Sequence, residues 1–184
     1  MVWQWQSLVS VEKSSRSKKI KKKLKKGLDN KPFLSYTIYR KREKKEKTAM
    51  KKITVYLDMD GTIADLYNTT DWLERLTNAD ETPFIEAEPM TTEEELFNIF
   101  PTDLYEVRVL TMTPKDATKE YCERVKEAKE AWLNTYFPNI ERRIYKAYGD
   151  NKNLKNAKNA ILVDDNNKIR ENFKGYAINP TELW

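Results

Sequence analysis

The chain contains no histidine and one cysteine, Cys122. Without imidazole, Ser-His and Cys-His nucleophile systems are excluded, as are zinc sites built on histidine. A lone thiol cannot close an internal disulfide and fits a reducing cytoplasm. No stretch approaches the ~18 apolar residues of a membrane-spanning helix, so a membrane is not an expected partner. Carboxylates and lysines are left to carry any chemistry.

Charge is abundant and unevenly placed. Residues 1–50 hold 16 Lys+Arg against 4 Asp+Glu, whereas residues 51–184 hold 18 against 25. The formal net charge of +5 therefore joins a basic leader to an acidic remainder. The 184 residues suffice for one well-cored domain plus a tail. Met50 stands just before the first apolar strand, which sets the expected domain at 50–184 and a basic, disordered extension at 1–49. Apolar residues at the N-terminus precede the lysine block Lys18 to Lys26, the reverse of a secretory signal. That block, and the cluster Arg40 to Lys47, would attract phosphate backbones or anionic lipid. A nucleic-acid tether and a solvated extension both remain open, with nucleic acid not expected as the partner. Pro32 to Tyr39, between the clusters, fits a short strand or docking segment.

The acidic part is organised around Ile53-Thr-Val-Tyr-Leu-Asp-Met-Asp-Gly-Thr62. Ile53 to Leu57 is short, apolar and β-branched, as expected of a strand buried on both faces in a parallel sheet. Ligands of such sheets bind beyond the carboxyl ends of the strands, where Asp58 and Asp60 fall. Two carboxylates this close repel one another and call for a cation, for which oxygen-preferring Mg²⁺ is the natural candidate. Gly61 allows a tight exit from the strand without a Cβ. An EF-hand loop is excluded, because it needs glycine sixth and glutamate twelfth, and here Gly61 is fourth and Thr69 twelfth. A metal-binding Asp-x-Asp of a glycosyltransferase and a purely structural turn stay in competition.

Further along, Leu66, Trp72, Leu73 and Leu76 suggest a helical insert, Thr82 to Met90 a proline-punctuated link, and Thr92 a helix cap. Glu106 to Pro114 reads as a second strand ending in the hydroxyls of Thr111 and Thr113. Lys115 to Tyr136 predicts an amphipathic helix, with Tyr121, Val125, Ala128 and Trp132 on its apolar face and Cys122 packing beside it. Arg143 to Ala147 is a third strand candidate. Ala160-Ile-Leu-Val-Asp-Asp again runs four apolar residues into acids, Asp164 and Asp165. A short helix (166–173) and a last strand (176–179) follow.

This succession resembles the haloacid dehalogenase-like (HAD) phosphohydrolases, over about residues 51–184. The resemblance implies an α/β, Rossmann-like fold with a parallel sheet in the order 5-4-1-2-3, flanked by helices. It also implies a small helical cap, at about 66–104, inserted after the first strand. Asp58 would be the nucleophile and Asp60 the general acid/base, its backbone carbonyl also ligating Mg²⁺ beside Asp58 and Asp165. Asp164, Gly61 and Thr62 would support that centre. Thr111 would hold a phosphate oxygen. A lysine from the loop after the third strand would reach the phosphate and the nucleophile; among Lys146, Lys152, Lys155 and Lys158, Lys152 is favoured and Lys155 comes second, since Lys152 follows the loop glycine and opens the next helical turn. Within the family the chain is most similar to small 5′(3′)-deoxyribonucleotidase-type proteins and their phage and bacterial relatives. The shared cues are Tyr56 to Asp65, Ala128 to Leu133, and Tyr-Gly-x-Asn-Lys ahead of Val-Asp-Asp. A Mg²⁺-dependent phosphatase acting on a small phosphorylated substrate, such as a (deoxy)nucleotide, is thus expected. The alternatives are a phosphatase of nucleic-acid ends and a non-catalytic module that binds phosphate or a partner.

Overall fold

The structure, a computed structural model, describes residues 51–184. The basic extension, including the lysine blocks and the Pro32–Tyr39 segment, lies outside the described residues. Lys52 to Trp184 form one compact unit.

Five strands make an all-parallel sheet flanked by helices: β1 (Ile53–Leu57), β2 (Tyr105–Met112), β3 (Arg143–Lys146), β4 (Ala160–Val163) and β5 (Tyr176–Ile178). Their order is β3-β2-β1-β4-β5, which read from the β5 edge is 5-4-1-2-3. The central strand β1 is covered on both faces, and its alternating hydroxyls, Thr54 and Tyr56, are buried on one of them with Asn156 as partner. Val55 and Leu57 point into a core with Leu96, Val109, Trp132, Leu133, Phe137 and Val163, while Tyr56 joins Leu110, Leu162 and Phe173 on the other side. Tyr56, though fully buried, is satisfied by donating its hydroxyl to Asn156 Oδ1 at 2.6 Å.

Between β1 and β2 the chain makes a 3₁₀ turn (Leu66–Asn68) and helices α1 (Trp72–Thr77), α2 (Pro83–Glu86) and α3 (Glu93–Ile99). The stretch read as a proline-punctuated link thus contains a helical turn, started by Pro83 at the position where its missing N–H costs nothing. The insertion divides in two. Leu96 and Phe100 of the α3 segment pack into the sheet core, whereas Leu66 and Phe84 pack on Tyr121, Val125 and Ala128. Ala87, between these two groups, also belongs to the sheet core. Arg75 ties α1 to α2 by bonds to Asp80, Thr82 and Glu86.

The long helix α4 runs from Lys119 to Tyr136, four residues later than the expected start. Thr118 ends the preceding turn by accepting the Tyr121 N–H, and this side-chain cap fixes the first helical residue. Its apolar stripe is buried as its spacing requires, and Cys122 is half-buried at its margin. A final short helix, α5 (Asn167–Asn172), begins at Asn166, which caps it through Lys168 and Ile169. No helix of the described residues is long and apolar enough to cross a membrane.

Trp132 joins the two layers. It is buried, stacks on Phe137, and donates its indole N–H to the Ala87 carbonyl at 2.6 Å. Trp132→Phe should therefore cost about 2 kcal/mol, from a small void and an orphaned carbonyl. The expected readout is a lower urea midpoint with an unchanged slope.

Candidate functional site

Strand register decides which side chains meet. Leu57 pairs with Val163, so the residues that follow, Asp58 and Asp164, leave the sheet side by side at its carboxyl edge. The Asp58 N–H continues the ladder to the Val163 carbonyl at 2.9 Å, and the Asp164 N–H does so to Ile178 at 3.2 Å. Asp58, Asp164 and Asp165 each offer an oxygen within 4.8 Å of the others. The sequence had placed Asp58 and Asp165 in one site, and the fold brings them together.

Past Asp58 the chain reverses tightly, with the amides of Thr62, Ile63 and Ala64 all donating to the Met59 carbonyl. Gly61 sits at φ +74°, where side chains are strained. A Cβ there would also lie 2.3 Å from the Tyr67 ring and 2.9 Å from Asp165 Oδ2, so glycine is required twice over. Thr62, fully buried, accepts the Asp165 N–H on its hydroxyl at 3.1 Å and so holds the β4 loop against this turn. Its carbonyl accepts from the Trp184 indole. Gly61 and Thr62 thus both lie against the Asp165 loop.

Lys152 is buried, with its ammonium 2.8 Å from Asp58 Oδ1 and 2.7 Å from Asp164 Oδ2. The rival lysines do not reach the cluster: Lys155 and Lys158 are exposed, and Lys146 is half-buried in β3. The sequence puts Lys152 at the opening of a helical turn, but it stands in irregular backbone, and the next turn is the 3₁₀ turn Ala157–Asn159. It is drawn inward by charge instead. Burial alone would lower its ammonium, but the charges of Asp58 and Asp164 outweigh it and hold it above the ordinary lysine value.

Asp164 is fully buried, with Oδ2 on Lys152 and Oδ1 accepting the Asn166 N–H at 2.9 Å. Asp165 is partly exposed, and its carboxylate takes no hydrogen bond from another residue among those described. That division fits Asp165 for direct ligation of a cation and Asp164 for support. The Asp60 carbonyl likewise accepts no backbone N–H in the turn. Oxygen donors alone, at this spacing, suit a hard divalent ion.

Asp60 and Thr111 meet through a residue that the sequence reading passed over. Lys129 of α4 is fully buried and bonds Asp60 Oδ2 at 2.5 Å, Thr111 Oγ at 2.8 Å and the Met112 carbonyl at 2.9 Å. The signal was available: Val125, Lys129 and Leu133 recur every four residues along the buried stripe. Burial pushes the Asp60 carboxyl up, Lys129 opposes that, and Asp58 adds to it. Its Oδ1 is shielded from solvent and has no partner among the described residues.

At the rim, Tyr67 is 47% exposed, and its ring lies against Gly61 and 5.1 Å from that of Trp72. Burial and the nearby charges of Asp165, Asp60 and Asp58 push its hydroxyl well above the usual range. An open hollow of ≈ 530 Å³ lies on α1, lined by Asp71, Trp72, Leu73, Glu74, Thr77 and Asn78, and none of Asp58, Asp60, Asp164 and Asp165 lines it. The convergence of charge, rather than concavity, marks the candidate site. In comparisons with known proteins, no family model matches the chain and no curated protein matches it.

Burial, together with the Asp58 charge, raises both Asp164 and Asp165 to about 6. A carboxyl raised in the fold favours the folded state while protonated. That contribution is full below the ordinary value of 3.8 and is lost as the pH rises through about 6. In chelator, Asp165→Asn should melt higher than the parent at neutral pH, by about 3 °C or more, with the gap closing towards pH 4. Thermal melts across that range check it.

Proposed function

We propose that the protein is a Mg²⁺-dependent phosphomonoester hydrolase of the HAD type, working through an aspartyl-phosphate on Asp58. The observation that carries this reading is the meeting of Asp58, Asp164 and Asp165 at the ends of adjacent parallel strands, with Lys152 between the first two. Four acids and a buried lysine in a purely structural turn would be costly, whereas a site that handles phosphate and a cation has use for each.

The chemistry follows from the residues. Lys152 holds Asp58 by Oδ1, leaving its other oxygen to attack phosphorus in line. The same ammonium lies where it can offset charge gathering on the phosphoryl oxygens. Asp60, whose carboxyl is biased towards protonation, gives its proton to the leaving oxygen and then takes one from the water that cleaves the acyl-phosphate. Thr111 offers its hydroxyl to a phosphoryl oxygen. Bound Mg²⁺, held by Asp58, Asp165 and the Asp60 carbonyl with Asp164 in support, would supply Lewis-acid stabilisation of the phosphate charge.

The half-exposed Tyr67 ring beside Trp72, at the rim of the acids, favours a leaving group with a flat face, as in a nucleotide. With Mg²⁺, the full chain should release phosphate from deoxynucleoside monophosphates faster than from glycerol phosphate. Asp58→Asn should lower kcat by at least about 1,000-fold. Retained turnover in that variant rejects the nucleophile. Preference for phosphorylated oligonucleotide ends, lost with rising salt, would instead favour the nucleic-acid alternative.

A further inference from the structure

Lys129 is an anomaly on its own helix. It lies within the apolar stripe of α4, fully buried, with its ammonium 4.8 Å from the centre of the Phe84 ring. An ammonium in such a place is tolerated only if its donors are used. It has three, and three oxygens receive them: Asp60 Oδ2, Thr111 Oγ and the Met112 carbonyl. No donor remains for a substrate, which separates Lys129 from Lys152.

Each bond has a consequence for the group at its other end. Thr111 accepts from Lys129, so its single hydroxyl proton must point elsewhere and is free to be donated. Asp60 is held by Oδ2, so Oδ1, shielded and unpartnered, is the oxygen left to handle a proton. Phe84 closes the far side and keeps water from competing for these bonds.

We propose that Lys129 is a positioning residue: it assigns different tasks to the two oxygens of Asp60 and turns Thr111 into a donor, without touching substrate. This rests on the hydrolase reading above. Losing Lys129 frees the Asp60 carboxylate to rotate, so proton delivery to the leaving oxygen suffers, while phosphate binding through Lys152 is kept.

The test compares the parent with Lys129→Met, which keeps the apolar stem, on p-nitrophenyl phosphate and on an alkyl phosphate. The value of kcat/KM covers steps up to transfer onto Asp58, so later hydrolysis does not blur it. An alkoxide needs the proton and a nitrophenolate barely does. The expected loss is about 100-fold or more on the alkyl ester, under about tenfold on the aryl ester, with KM within a few-fold. Equal losses on both esters, or a rise in KM at unchanged kcat, overturn the proposal.

A second measurement needs neither turnover nor a folded variant at position 129. The Lys129 ammonium of the parent should give a slowly exchanging ¹⁵N resonance, shifted more by Asp60→Asn than by Asp58→Asn. If that holds while the parent hydrolyses no ester, the hydrolase reading fails and the positioning of Asp60 stands. A fast-exchanging ammonium, or one indifferent to Asp60→Asn, overturns the positioning itself.

Discussion

Four carboxylates crowd the carboxyl edge of this sheet, and their mutual repulsion is the constraint to which its surroundings answer. Two unit charges about 4 Å apart interact by roughly 4 kcal/mol at an effective dielectric of about 20. Left alone, such groups would take up protons rather than stay charged side by side. Two buried ammonium groups oppose this, Lys152 from the side of β4 and Lys129 from beneath the insertion. The effect on local structure is direct. From Ala147 to Asn156 the chain has no helix or strand, and Lys152 is its only buried residue. The charge at Lys152 fixes the middle of that loop, while Leu154 packs on the core and Asn156 bonds Tyr56 and Thr54.

The two lysines do different work. Lys152 bridges Asp58 and Asp164 and lies among the groups proposed to meet phosphate, whereas Lys129 is saturated by protein oxygens. The difference follows from what each is mounted on. A loop lysine approaches from the open edge of the sheet, while a lysine on a packed helix arrives from below with its path closed by Phe84.

Much of this was legible in the chain itself. Apolar runs ending in acids located β1 and β4, and parallel register then made the meeting of Asp58 with Asp165 a matter of geometry. Lys152 was also found in advance, though for the wrong local reason, since it stands in irregular backbone and not at a helix start. Lys129 was not found because a lysine in a lysine-rich helix reads as solvated; only its place between Val125 and Leu133 on the buried stripe gave it away. How the insertion divides its packing was not legible for a related reason. Leu96 and Phe100 look like any apolar helix face, and nothing local says that they pack on the sheet rather than over the site.

Along α4, the insertion is fastened at several levels. The Tyr121 hydroxyl bonds the Asp80 carbonyl, Arg124 bonds Ala79 and Glu81, and the Trp132 indole bonds Ala87. Those anchors lie up to eleven positions apart, or about 16 Å of helix. A lid hinged at one end can swing by yielding one contact at a time; a plate held at several points along a rod has to yield them together. Traffic to and from the acids would then have to pass at the rim, beside Tyr67, with the plate left in its seat.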